Sequence, residues 1–439
     1  MVIFMKVYFI TFGCKVNIYE TEAMKNTFRQ NGYTISDSEN GSDIFVINSC
    51  TVTSYSDKKI RQTIHRLRRN YPISVIVLTG CYPQAFSDEA GEIAEADIVT
   101  GTKNRKDICS LIEDYVSCKN KVVSICGHES AEKFEDMVNT GYTDKTRAFV
   151  KIQDGCNMFC SYCIIPYSRG RFRSKPMDRL KEEIRLLAEN GYKEIVLVGI
   201  NLSFYGVEYG LRLVDAIEAV CAVEGIERVR LGSLEPEVIS DEDIRRMSEQ
   251  KKLCPQFHLS LQSGCDRTLK EMNRRYTSSE YKELVEKLRN SFPDCSITTD
   301  IMVGFPGETE EDFCQSLEFV KLVEFSSAHI FPYSPRKGTP AAEMENQVPE
   351  RVKTERAELM TQVTDLSKKK FLLSQVGNVY PVLFEKEKND REHHGYTPNY
   401  TKVKILTENS EKSLRSKVFY VKIIGLENDY CLGDIVNYN

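Results

Sequence analysis

The chain has 439 residues, enough for about three domains, and a hydrophobic fraction of 41% supplies ample material for a core. No window approaches the ~18 consecutive apolar residues of a membrane span, which argues against a membrane protein. A formal net charge of -5 excludes a globally basic nucleic-acid binder, so any RNA contact must come from local patches. Fifteen cysteines, an odd number, in a chain whose apolar start contains Lys6 and lacks a cleavage pattern point to reduced cytoplasmic thiols rather than secreted disulfides.

The first ~125 residues alternate short apolar runs with helical patterns, as βαβ units do. Strands are expected at 6–10, 43–48 and 74–79, with weaker ones at 96–99 and 121–125. Cys14, Cys50 and Cys81 follow the first three. Ligands of open α/β sheets bind beyond the carboxyl ends of strands, so these thiols are expected to converge as a second cluster site; structural cysteines are the plainer alternative. The helical segment 58–69 places Ile60, Ile64 and Leu67 on one face and turns Lys59, Arg66 and Arg69 outward. Cys126 is expected to be a small buried hydrophobe.

Residues 1–126 thus form an N-terminal open parallel-sheet α/β domain, and 127–146 read as a polar linker. A second α/β series, residues 147–370, has expected strands at 148–152, 194–199, 228–232, 256–261, 296–303 and 328–331, with helices such as 177–190 and 278–291 between them. Six repeats predict a partial (β/α)6 barrel with its functional loops at the carboxyl ends of the strands. The run Cys156, Cys160, Cys163 follows the first of them as a C-x3-C-x2-C loop. Three thiolates would hold three irons of a cubane and leave the fourth open to a substrate. A zinc knuckle is the alternative, but no cysteine or histidine follows within thirty residues to complete it.

Strand-end residues Gly199, Asn201, Glu235, Gln262 and Asp300, with the loop from Gly304 to Thr309, are candidates for holding a small cofactor. Arg169, Arg171, Arg173 and Lys175 lie in an irregular loop beside the cysteines and are candidate phosphate contacts. A charged helix is expected at 351–374. Residues 371–439 read as a small all-β, OB-like barrel with strands at 379–384, 401–406, 417–424 and 434–438, and with His393 and His394 in a polar loop. Its nine Lys/Arg and nine Asp/Glu give no basic bias toward RNA.

Tyr162 before the last cysteine of the loop, on a six-repeat barrel, resembles the radical S-adenosylmethionine (SAM) enzymes. Nearly end to end, the chain resembles the radical SAM methylthiotransferases. Their N-terminal motifs are matched by Gly13-Cys-Lys-Val-Asn17, Asn48-Ser-Cys-Thr-Val-Thr53 and Gly80-Cys-Tyr82, and the segment Tyr162-Cys-Ile-Ile-Pro-Tyr-Ser-Arg-Gly-Arg171 fits the same pattern. Phe12 and Ser49 depart mildly from the usual forms. The resemblance implies a [4Fe–4S] cluster on Cys156, Cys160 and Cys163 and an auxiliary [4Fe–4S] cluster on Cys14, Cys50 and Cys81. It also implies SAM as cofactor and a C-terminal TRAM barrel associated with RNA. One SAM would methylate a sulfur at the auxiliary site, and a second would supply the radical that removes hydrogen from the substrate.

Lys15-Val16 and Thr51 to Thr53 resemble the bacterial branch that methylthiolates carbon 2 of N6-threonylcarbamoyladenosine beside the tRNA anticodon. The same chemistry on isopentenyladenosine or on a ribosomal-protein aspartate is the nearest rival. A non-catalytic iron–sulfur or zinc RNA-binding protein is the rival of another class. The implied partners are tRNA, a flavodoxin- or ferredoxin-like electron donor and a sulfur source.

Overall fold

A computed structural model describes residues 5–103, 105–129, 132–135, 137–139, 141–142, 146–385, 391–406 and 413–436. Strands β1 (Lys6–Thr11), β2 (Thr34–Ile35), β3 (Ile44–Ser49), β4 (Val75–Gly80), β5 (Ile98–Thr100) and β6 (Val122–Ser124) form one parallel sheet in the order β2-β1-β3-β4-β5-β6. β3 and β4 are buried along their whole length, because helices cover both faces. Helix α1 (Lys15–Gln30) sets Tyr19, Ala23, Met24 and Phe28 on one face, and α2 (Ser54–Asn70) sets Ile60, Ile64 and Leu67 on the other. The expected outward side of α2 is exposed at Lys59 and Arg69, while Arg66 pairs with Glu39 at 2.7 Å. The strand order reverses between β1 and β3, which opens a crevice at their carboxyl ends.

The expected linker has no regular structure among its described residues, but it is no loose tether. Phe134, Met137, Asn139 and Tyr142 are buried, and Glu135 pairs with Arg105 at 3.0 Å. Cys126 is exposed rather than buried, since β6 is a short edge strand with little above it.

The second unit begins with β7 (Arg147–Lys151). A small antiparallel pair, β8 (Gln153–Asp154) and β9 (Arg173–Ser174), then brackets the cysteine loop. The barrel continues through β10 (Glu194–Val198), β11 (Arg228–Leu231), β12 (Ser233–Leu234), β13 (Gln256–Leu259), β14 (Ser296–Val303) and β15 (Ser327–Pro332). All pair in parallel, in the orders β11-β10-β7 and β12-β13-β14-β15. Gly232 alone separates β11 from β12, so six strands wrap as a partial barrel. Alternation decides its lining: Ala148, Val150, Ile195, Leu197, Val229 and Leu231 join the core under the helices. Arg147, Lys151, Glu194 and Arg230 alternate with them, and Val196 and Val198 meet Val16 of α1 instead. The first turn of α1 therefore closes against the inner side of the barrel.

The helix Glu350–Ser374 leads to a closed barrel of β16 (Val379–Phe384), β17 (Glu392–Tyr396), β18 (Lys402–Leu406), β19 (Val418–Glu427) and β20 (Tyr430–Ile435), ordered β16-β17-β18-β20-β19. Two expectations change here. His393 and His394 lie within β17 rather than in a polar loop, because barrel closure pairs this strand with β16 and β18 although its sequence shows no apolar alternation. The last strand starts four residues earlier than expected, and 437–439 lie outside the described residues.

Candidate active site

Cys14 stands at the N-cap of α1, Cys50 follows β3, and Cys81 opens the short helix Cys81–Ala85 after β4. Three neighbouring strands thus deliver three thiols to one end of the sheet, as the spacing predicts. Their loops touch. Gly13 has φ +106, and a Cβ placed on it would lie 2.6 Å from the Cys50 Cβ and 3.0 Å from its Sγ. Cys14 is exposed while Cys50 and Cys81 are buried. Burial pushes the Cys50 thiol up to about 12, and the neighbouring Cys81 and Cys14 add to the rise. Burial also raises Cys81, with Arg169 working against it. Such thiols ionise readily only against a cationic centre.

The second trio sits above β7. The Cys156 amide donates to the Gly170 carbonyl at 3.0 Å, which folds the loop back over the β8–β9 pair. The Cys156 sulfur accepts from the Met158 amide at 3.5 Å and from Asn201 Nδ2 at 3.7 Å. The Cys160 sulfur accepts from Arg274 Nη1 at 3.4 Å, and Arg274 in turn pairs with Glu235. Burial raises the Cys156 thiol to about 11 and lifts Cys160 and Cys163 as well, with Cys160 adding to the rise at both Cys156 and Cys163. Among the described residues no group of three or more His, Cys, Asp or Glu side chains is posed to hold a metal ion. A cubane instead takes each thiolate on a separate iron.

The cofactor candidates divide. The Asn201 amide donates to Gln153 Oε1 at 2.7 Å, and a Cβ on Gly199 would come within 2.9 Å of that same oxygen. Gly199 is therefore needed for close packing over Gln153. Asn201 Oδ1 and Gln262 Oε1 are buried without a hydrogen-bond partner among the described residues. Asn201 touches the three-thiol loop at Cys156, and a buried acceptor in that state there suits a cofactor bearing an ammonium group. Glu235 is engaged by Arg274, and burial keeps its carboxyl above the usual range. Asp300 faces His258 at 3.2 Å.

Of the four basic loop residues, only Arg171 is exposed. Arg169, Arg173 and Lys175 are buried, which leaves them unable to meet a phosphate in this arrangement. Arg169 crosses to the N-terminal domain instead. Its Nε donates to the Cys81 sulfur at 3.2 Å, Nη1 to Glu20 at 2.7 Å and Asp154 at 3.2 Å, and Nη2 to Asn17 Oδ1 at 2.7 Å. Arg105 and Lys151 also reach Glu20, at 3.1 and 2.9 Å, and Arg173 reaches Asp154 at 3.3 Å. Lys175 pairs with Glu183 and reaches the Tyr19 hydroxyl at 3.0 Å. Their sequence looked like an open basic loop because the acids that neutralise them lie far off in the chain. Asn17 and Tyr162 belong to the family's motifs, whereas Arg274, Gln153 and Glu20 carry no local signal.

The N-terminal sheet with its strand-end thiols, joined to a partial barrel with a C-x3-C-x2-C loop, defines a radical SAM enzyme with a second cysteine site. Residues 150–320 match the Radical SAM superfamily model, and residues 6–101 match the model described as uncharacterized protein family UPF0004. The radical SAM methyltransferase TsrM from Kitasatospora setae, solved with cobalamin and a [4Fe-4S] cluster bound, shares the fold. The TM-score is 0.58 at 13% identity, over 77% of both chains. Threonylcarbamoyladenosine tRNA methylthiotransferase MtaB of Bacillus subtilis is 39% identical over 98% of this chain and 96% of its own length. The MtaB of Thermotoga maritima is 43% identical over 80% of each. A tRNA-2-methylthio-N(6)-dimethylallyladenosine synthase of Caldicellulosiruptor saccharolyticus is 37% identical over 97% of this chain and 92% of its own. The chain belongs to the radical SAM tRNA methylthiotransferase family, among proteins of MtaB type.

Proposed function

We propose that the chain transfers a methylthio group to carbon 2 of N6-threonylcarbamoyladenosine beside the tRNA anticodon. The observation that carries this reading is Arg169, six residues after Cys163 in one domain and 3.2 Å from the Cys81 sulfur of the other. It supports two cysteine sites that face one another across a single interface, as sulfur insertion requires. When bound, SAM and two [4Fe–4S] clusters supply the methyl group, the sulfur and the radical that takes hydrogen from the adenine.

The chain's own residues hold and shield these groups. Cys156, Cys160 and Cys163 are the ligands assigned to the SAM-binding cluster, and Cys14, Cys50 and Cys81 those assigned to the auxiliary one. Asn201 and Gln262 offer their unpaired amide oxygens to the cofactor's ammonium. Arg274 and Arg169 donate to ligand sulfurs, which steadies a cluster's negative charge. The buried ion pairs around Glu20 and Asp154 close the domain junction to water on that side. Arg171 is the basic loop residue left to meet tRNA. A flavodoxin- or ferredoxin-like electron donor and a separate sulfur source complete the turnover in the cytoplasm; among the described residues no helix is long and apolar enough to cross a membrane.

Anaerobic reconstitution tests the reading. About eight irons per chain should bind, and reduction with SAM should release 5′-deoxyadenosine. Replacing Cys14, Cys50 and Cys81 together by Ala should halve the iron and abolish sulfur insertion while radical formation survives. A zinc-only protein overturns it. Nucleoside profiles of tRNA from cells lacking the gene test the substrate: the methylthio-threonylcarbamoyl nucleoside should vanish. Loss of the methylthio-dimethylallyl nucleoside instead transfers the assignment to the other branch.

A further inference from the structure

Beyond β15 the chain runs through Ser334-Pro-Arg-Lys-Gly-Thr-Pro-Ala341, a segment that touches residues beside both cysteine sites. At its start the Ser54 amide and hydroxyl lie 3.4 and 3.2 Å from the Ser334 hydroxyl. Arg336 then enters the N-terminal domain. Its Nη2 donates to Thr51 Oγ1 at 2.7 Å and to Asp57 Oδ2 at 2.6 Å. Thr51 Oγ1 donates in turn to Asp57 Oδ1 at 2.8 Å. All three side chains are buried, and the guanidinium lies over the Phe86 ring, 4.9 Å from its centre. Thr51 directly follows Cys50.

Further along, the same segment meets the other trio. The Ala341 amide donates to the Ser161 carbonyl at 2.8 Å, and Ser161 stands between Cys160 and Cys163. Ala341 is buried with Met272, Met302, Phe305 and Tyr333, and Tyr162 packs against that group. The span between the two anchors is stiff. The Arg336 carbonyl accepts from the Thr339 amide at 3.0 Å and from the buried Thr339 hydroxyl at 2.7 Å. Gly338 takes φ +83, which closes the turn without strain, and Pro340 restricts the next φ. The tie made by Arg169 runs to Cys81, so the two arginines hold different loops of the auxiliary site.

We propose that the segment 334–341 is a strut that sets the spacing of the two cysteine sites, and that Arg336 is the positioning residue that holds the Cys50 loop to it. This rests on the function proposed above and deepens it. Hydrogen removal and sulfur transfer both occur at carbon 2 of one adenine, so both sites must reach that atom from fixed places. A misplacement of about 1 Å in such an arrangement costs on the order of a hundredfold in rate. Arg336 acts through Thr51 and Asp57. A loosened strut therefore leaves radical formation intact while sulfur transfer misses its target.

The test uses the reconstituted holoenzyme and an anticodon stem–loop RNA bearing threonylcarbamoyladenosine. In Arg336→Gln, iron per chain should stay at the wild-type level and 5′-deoxyadenosine should still form. Methylthio product per 5′-deoxyadenosine should fall at least about tenfold, and Arg336→Lys should recover part of it. Asp57→Asn removes the same tie from the other side and should give a similar loss, with little further loss in the double variant. It carries the prediction alone if Arg336→Gln does not fold. Hydrogen exchange of the holoenzyme gives a readout apart from turnover: amides of 50–57 and 334–341 should exchange faster in either variant, while β3 and β4 keep their rates. An unchanged product ratio or unchanged exchange in those segments would overturn the proposal. So would iron, 5′-deoxyadenosine and product falling in parallel, which leaves Arg336 only a general part in stability. If the wild-type chain makes no methylthio product from this RNA, the substrate reading fails, and the exchange result alone decides the strut.

Discussion

Gly13 shows how much of the auxiliary site depends on one missing methyl group. At φ +106 a side chain is strained whatever the space, and its Cβ would press within 2.6 Å of the Cys50 Cβ. Gly13→Ala should cost about 1–3 kcal/mol of strain and push the Cys14 and Cys50 loops apart. Iron per chain after reconstitution should fall toward the value of the Cys14/Cys50/Cys81 triple variant, while 5′-deoxyadenosine formation persists. Full iron occupancy in Gly13→Ala would show that the close approach is dispensable. Gly13 was legible as part of a motif. Its reason was not, because the contact joins loops that the sequence separates by a whole helix and strand.

Among the elements, the segment around the short helix Ile165–Arg169 helps to join the two domains. It reaches into the N-terminal domain, as Arg336 does at Thr51 and Asp57, and Arg169 spends its donors on Cys81, Glu20, Asp154 and Asn17. All of these charged partners are buried, so truncation leaves charge behind without water to solvate it. Arg169→Met should destabilise the chain by about 3–5 kcal/mol, read as a lowered urea midpoint. Asn17 still donates to the Phe12 and Ser49 carbonyls in that variant, so the N-terminal loops keep their own tie. An unchanged midpoint would mean that the interface does not depend on this ion network.

For the whole molecule, the junction between domains is a concentrated store of ionised groups, and acid should open it. Burial alone would raise the Glu20 carboxyl, but Arg105, Arg169 and Lys151 more than reverse this and hold it at about 2. Asp154 is held well below the usual carboxylate range, as Lys151, Arg173 and Arg169 outweigh burial. Both acids are depressed in the folded state. Their contribution is therefore complete above the ordinary carboxylate range of about 4 and is lost as pH falls through their folded values. Melting temperature should decline from about pH 4.5 to pH 2, and Glu20→Gln should flatten that decline. A slope unchanged by Glu20→Gln would place the acid sensitivity elsewhere. The C-terminal barrel adds a second junction, where Arg228 and Arg230 donate to the carbonyls of Pro381, Tyr396 and Pro398.

What the sequence determined by itself is the inventory: three domains, their strand alternation, and two cysteine trios at strand ends. These follow from short-range periodicity and spacing, which survive without tertiary context. Strand β17 escaped because its residues Glu392–Tyr396 owe their pairing to barrel closure rather than to an apolar pattern. The basic loop after Cys163 read as a surface for phosphates, and tertiary structure turned three of its four cations inward onto Glu20, Asp154 and Glu183. Only the folded chain decides such a matter, because local sequence does not reveal which distant acid will neutralise a cation.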